Sequence, residues 1–200
     1  MKVDIQDVLF WMDAIRNSDD RYRTLESFWK GQVNSKVWLV EALEEHALPS
    51  KNKIVIHGGW NGVLASLLFN SNVNIDYIHS VDIDPICEDI ARTINKRYEM
   101  QGRFAAVTED MCDYDYYADI VINTSCEHIT QEQYTAWLEK VPPLATIVLQ
   151  SNDYFDLQEH IRCSTDIDDF VKMSNIRPLY TGEFETPNYK RFMIIGKKNV

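Results

Sequence analysis

Residues 53–69, KIVIHGGWNGVLASLLF, decide the fold, because they join a short β-rich run to a helical run through a cluster of glycines. The run of Ile54, Val55 and Ile56 predicts a buried strand, and the apolar residues that follow the glycines predict a helix. Glycines at such a junction let the backbone approach a ligand, and the first turn of a helix offers unpaired N–H groups. We therefore predict a ligand-binding turn. Its residues are His57, Gly58, Gly59, Trp60 and Gly62.

The alternation of strand and helix continues along the chain. Strands are predicted at 53–57, 77–81, 103–107, 119–123 and 145–150, and helices at 62–70, 85–98 and 131–140. Short buried strands that alternate with helices predict a parallel sheet covered on both faces. Residues 177–198 predict a hairpin of two further strands, which makes one strand antiparallel. We expect an α/β fold with a Rossmann-like, mostly parallel sheet of about seven strands.

The first 48 residues predict two or three helices, which form a cap in the same domain as the α/β part at residues 49–200. Val8, Leu9, Met12 and Ile15 fall on one helical face, which predicts the first of these helices. Residues 48–53, LPSKNK, are expected to separate the cap from the first strand, because proline and asparagine disfavour a continuing helix.

Residues 28–36 of the cap, FWKGQVNSK, are predicted to close over the bound ligand. Gly31 is expected to interrupt the helices there and to bring Gln32 and Lys36 together as substrate-binding groups, with two tryptophans as walls. The alternative is an amphipathic helix that packs on the edge of the sheet.

Composition limits the classes of partner. The 200 residues are 45% hydrophobic and 26% charged, which is typical of a single globular domain. The net charge of -11 disfavours nucleic acid as a partner. The four cysteines show no C-x-x-C pair, so we expect reduced thiols and predict no metal site. We see no signal peptide and no apolar run that could span a membrane, and therefore expect a cytoplasmic protein.

The ligand of an open α/β sheet lies beyond the carboxyl ends of its strands, so the residues that follow each predicted strand are the candidate site. Asp82 follows the second strand, twenty residues after Gly62, where an acidic side chain holds a ribose diol. The alternative is an acidic turn that opens a helix. Asp110 follows the third strand and is placed to accept from an adenine amine, with Met111 alongside the ring; a solvated acidic loop is the alternative.

After the fourth strand comes the run NTSCEHI, residues 123–129. His128 is a candidate general base, because an imidazole transfers protons near neutral pH. The alternative is that Glu127 and His128 cap and orient the next helix. A thiol nucleophile at Cys126 is disfavoured by its spacing from His128. Beyond the fifth strand, Asn152 and Tyr154 are candidate substrate contacts, whereas His160 is expected to lie farther away.

Together, these motifs resemble the class I S-adenosylmethionine (SAM)-dependent methyltransferases over about residues 50–197. The resemblance implies SAM as the cofactor and methyl transfer as the reaction. We expect the acceptor to be a small molecule, with a protein partner as an alternative. The cofactor residues would be His57, Gly58, Gly59, Trp60, Gly62, Asp82, Ile83, Asp110, Met111, Asn123 and Thr124. The candidate catalytic residues are Glu127 and His128, and the candidate substrate residues are Gln32, Lys36, Ser125, Asn152 and Tyr154.

The sequence departs from the family pattern at two positions. Ile56 stands where the family usually has an acidic residue, and Trp60 stands where it usually has the middle glycine. We expect that Trp60 cannot supply a glycine's freedom, so that the turn holds the methionine part of SAM differently. Asn123 is followed by Thr-Ser-Cys and not by Pro-Pro-Tyr, which disfavours amino methylation of nucleic-acid bases.

Three other functions remain open from the sequence. The atypical turn is compatible with aminocarboxypropyl transfer from SAM, as in nicotianamine synthase-like enzymes. A nicotinamide-dependent oxidoreductase is disfavoured, because its fingerprint requires glycine at the position of His57. The third alternative is a non-catalytic module of SAM-binding fold that binds a protein partner.

Overall fold

The computed structural model describes residues 1–46, 50, 52–115 and 117–199. The chain forms two compact units, Met1–Met111 and Cys112–Val200. The domain boundary at residues 48/49 stays a prediction, since residues 47–49 lie outside the described part, as do parts of the expected break at 48–53. Within the described residues, no helix is long and apolar enough to cross a membrane.

The first unit contains the N-terminal helices and three parallel strands. Its elements are α1 (Ile5–Asn17), α2 (Arg21–Glu26), α3 (Lys30–His46), β1 (Asn52–His57), α4 (Val63–Phe69), β2 (Ile75–Asp82), α5 (Pro85–Ile94), α6 (Lys96–Met100) and β3 (Phe104–Thr108). The strands pair in the order β3-β2-β1. His57 is level with Val81, and Asp82 with Thr108, so the three strands end side by side.

The second unit contains four strands. Its elements are β4 (Ile120–Asn123), a 3₁₀ turn (Cys126–His128), α7 (Gln131–Lys140), β5 (Thr146–Asn152), α8 (Ile167–Ser174), β6 (Ile176–Glu185) and β7 (Lys190–Lys198). The strands are ordered β4-β5-β7-β6, and β7 runs antiparallel to both neighbours. Every residue of β5 is buried, as expected for a strand covered on both faces.

The predicted fold class is confirmed: the protein has seven strands in a mostly parallel sheet, flanked by helices, with one antiparallel strand near the C-terminus. The helix predicted at 85–98 is instead two helices. The buried Asn95 separates them, and its side-chain amide donates to the carbonyl oxygens of Gly62 and Ala91, both at 2.9 Å. Local side-chain bonds of this kind compete with the helical pattern.

One expectation about the cap was wrong. Gly31 does not interrupt the helices, because it lies in the first turn of α3. On α1, Leu9 and Met12 are both more than half exposed, whereas Asp7 is buried. The Asp7 carboxylate accepts hydrogen bonds from the Asn70 side chain at 2.6 Å and from the Tyr98 hydroxyl at 2.7 Å. A buried polar contact thus ties α1 to the helices around β1 and β2.

Candidate functional site

The turn after β1 is tight, and its shape depends on left-handed backbone. Gly58, Trp60 and Gly62 have φ angles of +63°, +47° and +74°. The N–H of Gly62 donates to the carbonyl of Gly59 at 3.0 Å, and the N–H of Gly59 donates to Val81 of β2 at 3.1 Å. The turn is therefore fixed to the end of β2 by backbone bonds.

Two glycines of this turn are also required by close packing. A Cβ at Gly59 would lie 2.0 Å from the Ser80 hydroxyl oxygen of β2. A Cβ at Gly62 would lie 2.9 Å from the Cβ of Ala91 on α5 and 2.7 Å from the Asn95 amide nitrogen. The backbone of the turn therefore lies directly against β2 and α5, which leaves no room for side chains at these positions.

Trp60 adopts the left-handed conformation although it is not a glycine. The expectation that it could not do so was therefore wrong. This conformation costs an L-residue about 1–2 kcal/mol. The Trp60 N–H donates to the Asp82 carboxylate at 2.7 Å, a charge-assisted bond that offsets part of that cost.

Both carboxylate oxygens of Asp82 accept hydrogen bonds from backbone N–H groups. Oδ2 accepts from Trp60 at 2.7 Å, and Oδ1 accepts from Asp84 at 3.0 Å. An ionised carboxylate has about four acceptor positions, so two remain for a ligand. The half-buried Asp82 is thus held rigidly beside the glycine turn and retains the capacity to accept from a ribose diol.

Asp84 is the N-cap residue of α5. The alternative considered for Asp82, an acidic residue in a turn that begins a helix, therefore describes Asp84. Its side chain caps α5 by accepting from the Ile86 N–H at 3.0 Å, and it forms an ion pair with Arg23 of α2. The bond from Arg23 lowers the pKa of Asp84. The two carboxylates of this acidic turn therefore have separate roles, and only Asp82 contacts the glycine turn within the described contacts.

The remaining predicted cofactor residues of the first unit lie at the same strand ends. Ile83 is 69% exposed directly after Asp82, so an apolar surface is available for a flat ring. The N–H of Glu109 donates to the Asp82 carbonyl at 3.0 Å, which fixes the segment after β3 beside the acidic turn. The next two residues, Asp110 and Met111, are half-buried there.

The cap reaches the glycine turn through α3. The Lys36 ammonium donates to the Gln32 side chain at 3.0 Å and lies 5.8 Å from the ring centroid of Trp60, within the range of a cation–π contact. The two cap residues predicted to bind substrate are thus next to the turn. Trp29, proposed as a wall, is 72% exposed.

Burial keeps His57 neutral at the end of β1. Its side chain is fully buried, and this desolvation lowers the pKa of His57 to about 3. An imidazole with this pKa stays uncharged near neutral pH, with one N–H donor and one acceptor nitrogen. His57 therefore does not act as an imidazolium acid.

In the second unit, Glu127 is a buried residue of the 3₁₀ turn. Its Oε1 accepts from the Asn152 amide at 2.7 Å, and the guanidinium of Arg191 lies 3.6 Å from the same oxygen. Its backbone carbonyl accepts from the N–H groups of Ile161 and Arg162 at 2.8 and 3.0 Å. Glu127 thus connects β5, β7 and the segment after β5.

The expectation that His160 lies far from the other candidates was wrong. The ring of His160 packs edge-on against His128, with 4.8 Å between centroids. His128 Nδ1 lies 3.3 Å from the Glu159 carbonyl, and His160 Nδ1 lies 2.8 Å from the carbonyl of Tyr154. The structure therefore brings His128, His160 and Tyr154 together.

Glu127 and His128 do not cap the next helix. Thr130 caps α7 and forms a reciprocal capping box with Gln133, so the capping role proposed as the alternative for the two residues was wrong. Burial raises the pKa of the Cys126 thiol to about 12. The thiol stays protonated near neutral pH and is unsuited to nucleophilic attack.

The other predicted residues of the second unit surround this cluster. Asn123 is buried, and its side chain accepts from the Ser125 N–H at 3.0 Å. The Thr124 carbonyl accepts from Arg191 at 3.2 Å. Arg162, which no sequence pattern indicated, is buried, lies 3.9 Å over the Tyr134 ring and donates to Gln131 at 2.8 Å. No periodicity marks an arginine in an irregular segment as buried.

No family model matches the chain, and no curated protein matches its sequence. Solved structures of similar fold do exist. Magnesium protoporphyrin IX methyltransferase (ChlM) from Synechocystis PCC 6803 with bound S-adenosylhomocysteine has a TM-score of 0.68 at 14% identity, over 97% of this chain and 94% of that one. The N-methyltransferase NodS from Bradyrhizobium japonicum WM9 has a TM-score of 0.65 at 9% identity, over 84% and 97%.

A further similar structure is a point mutant of MtNAS in complex with SAM. Its TM-score is 0.60 at 16% identity, and the match covers 96% of this chain and 72% of that chain. At these identities the likeness establishes the fold. The protein has the fold of the class I SAM-dependent methyltransferases, as the motif pattern predicted.

Proposed function

We propose that the protein is a SAM-dependent methyltransferase that acts on a small molecule. The observation that carries this proposal is the bond between Asp82 and the Trp60 N–H, which fixes a carboxylate with spare acceptor positions beside a glycine turn. A nucleoside needs this combination: an acidic group for the ribose diol and a backbone free of side chains for close approach.

In this proposal, Asp82 holds the ribose, Ile83 and Met111 flank the adenine, and Asp110 accepts from its amine. Gly58, Gly59 and Gly62 give the methionine part access to the backbone. When bound, SAM supplies an electrophilic methyl group on its sulfonium. Transfer then depends mainly on positioning, which can contribute about 7–11 kcal/mol to lowering a barrier. The assignments of Asn123 and Thr124 to the cofactor remain predictions.

On the acceptor side, we propose Gln32 and Lys36 of α3 as substrate contacts because they adjoin the glycine turn. For the second unit, we propose that His128 takes a proton when the acceptor arrives protonated, since it is exposed and oriented by a backbone carbonyl. Ser125, Asn152 and Tyr154 remain candidate substrate residues. The buried Glu127 is a positioning residue in this scheme. We expect a cytoplasmic location.

Calorimetric titration of the purified protein with S-adenosylhomocysteine, in parallel with NAD, tests the choice of cofactor. We expect micromolar binding of S-adenosylhomocysteine and none of NAD. Binding of NAD without S-adenosylhomocysteine would favour an oxidoreductase and contradict the proposal.

A second candidate, aminocarboxypropyl transfer, is favoured by the similarity to MtNAS, one structure of which contains MTA (methylthioadenosine), and by the tryptophan in the glycine turn. Identification of the product from SAM distinguishes the two reactions. Methyl transfer leaves S-adenosylhomocysteine, whereas transfer of the arm leaves methylthioadenosine. Binding of SAM without turnover over a panel of small-molecule acceptors would favour a non-catalytic module.

A further inference from the structure

Three residues of the second unit, Glu127, His128 and His160, form a cluster that the proton transfer proposed for His128 does not account for. A metal ion bound to Nε2 of His128 would take the place of that base role, because the same lone pair cannot also accept a proton. The potential donor atoms, one from each residue, all lie within 4.8 Å of one another. Two imidazoles and one carboxylate are a ligand set found for Zn²⁺ and for other divalent transition metals.

The orientation of both imidazoles suits metal binding. Nδ1 of His160 lies 2.8 Å from the Tyr154 carbonyl, and Nδ1 of His128 lies 3.3 Å from the Glu159 carbonyl. A carbonyl oxygen only accepts, so each Nδ1 carries the proton in these bonds. Each Nε2 therefore keeps its lone pair. Metal-ligating histidines are usually held in this way, with the second nitrogen donating to a backbone carbonyl or a carboxylate.

The carboxylate is oriented as well. Glu127 is only 3% exposed, and its Oε1 is held by the Asn152 amide at 2.7 Å. Its Oε2 is buried and has no hydrogen-bond partner in the described part of the chain. A buried carboxylate oxygen without a partner is costly, so its presence needs an explanation. A cation bound to Oε2 supplies one.

From these observations we propose that Glu127, His128 and His160 bind a divalent metal ion of the Zn²⁺ type. Donor atoms around a tetrahedral Zn²⁺ lie about 3.4 Å apart when each bond is about 2.0–2.1 Å. The most separated donors must therefore approach one another, and the exposed His128 side chain has the freedom to move. The exposed side of the cluster leaves coordination positions for water or for an oxygen of a small ligand.

The competing explanation is that Arg191, 3.6 Å from Oε1, neutralises Glu127 without any metal. The test uses full-length protein that has been stripped by chelator and then titrated with Zn²⁺ in a calorimeter. We expect one ion per chain and a higher melting temperature with the ion than without it. His128→Ala and Glu127→Gln should each weaken binding by about 100-fold or more, since loss of an outer partner alone costs 10–100-fold.

His128→Ala is the primary variant because its side chain is exposed, so removal leaves the core intact. Glu127→Gln keeps an acceptor for Asn152 but removes the charge. The matched controls are His46→Ala, on α3 of the first unit, and Cys163→Ser, whose thiol lies 3.3 Å from the Asn152 side chain. Both controls should bind Zn²⁺ as the unmodified protein does.

Co²⁺ substitution adds a readout of ligand type. We expect visible d–d bands without a thiolate charge-transfer band in the near ultraviolet. The proposal is overturned if millimolar Zn²⁺ does not bind, if His128→Ala binds it unchanged, or if a thiolate band appears and disappears in Cys163→Ser. None of these readouts depends on SAM, so the proposed function and the metal site can fail separately.

Discussion

The turn after β1 and the segment after β4 each follow the carboxyl end of a strand, but backbone groups form the first and buried side chains form the second. In the turn, the close contacts with β2 and α5 leave no space for a Cβ at Gly59 or Gly62. In the second segment, the buried Glu127 of the 3₁₀ turn forms an ion pair with the buried Arg191 of β7. The two regions should therefore respond to different substitutions.

The difference explains what each region can bind. A backbone-lined turn lets a ligand approach closely, which suits a nucleoside. A cluster of oriented imidazoles and a carboxylate suits a small cation or a proton. Adding a single methyl group to a glycine of the first region should lower the free energy of unfolding, and so should removing a single charge from the second region.

The largest effect is expected for Arg191→Met. It leaves the buried Glu127 carboxylate without its nearby cation, and breaking a buried pair in this way costs about 3–5 kcal/mol in the free energy of unfolding. Urea denaturation measures the loss. The double variant Arg191→Met/Glu127→Gln should recover much of it, because no uncompensated charge then remains. Equal losses in the single and double variants would show that Arg191 acts by packing alone.

In the turn, Gly62→Ala should lower the free energy of unfolding by about 2–4 kcal/mol, from the left-handed backbone together with the overlap on Ala91. Gly102→Ala is the matched control. It also has a positive φ, +68°, but nothing lies within 4 Å of the added methyl group, so about 1–2 kcal/mol is expected. The same denaturation experiment compares them, and equal losses would contradict the packing argument.

Tyr98→Phe tests whether the cap is fixed to the first unit by the Asp7 contact. Loss of a hydrogen bond to a buried charged group should cost about 1.5–3 kcal/mol. Tyr22→Phe, at a side chain that is 74% exposed, should change stability little. Proteolysis at α1 should become faster in Tyr98→Phe alone. An unchanged rate would mean that other contacts hold α1 in place.

A pH titration examines the burial of His57. Its pKa is about 3 in the folded protein and about 6.5 when unfolded, so the unfolded state binds more protons between these values. The contribution of the buried His57 to the free energy of unfolding is therefore present above pH 6.5 and is lost as the pH falls below that value. The expected loss between pH 7 and pH 5 is about 2 kcal/mol. Urea denaturation at both pH values should show a smaller decrease in the free energy of unfolding for His57→Gln than for the unmodified protein. An equal decrease in the two proteins would mean that other groups cause the pH dependence.

Much of the first region could be predicted from sequence, because its requirements concern the backbone. The glycines, the twenty-residue interval to Asp82 and the alternation of strand and helix all follow from local geometry. Trp60 was the exception. Its N–H donates to Asp82, which lies twenty-two positions away, and a contact over that distance cannot be inferred from the local pattern.

The second region could be predicted only in part. The run after β4 indicated Glu127 and His128, but their partners come from irregular segments and from β7. His160 and Arg162 lie where no hydrophobic periodicity exists, so their positions depend on tertiary packing. The same limit applies to α1, whose buried face carries Asp7 rather than Leu9 and Met12.

The most direct test of the account compares the affinity for S-adenosylhomocysteine of Asp82→Ala and Asp84→Asn by calorimetry. Both carboxylates lie in one acidic turn, but only Asp82 contacts the glycine turn within the described contacts, and asparagine at 84 keeps a capping oxygen for α5. We expect Asp82→Ala to bind about 10- to 100-fold more weakly, since hydrogen bonds to charged groups contribute about 1.5–3 kcal/mol. Asp84→Asn should bind as the unmodified protein does. Equal affinities in the two variants, or no binding by the unmodified protein at millimolar ligand, would contradict the nucleoside site.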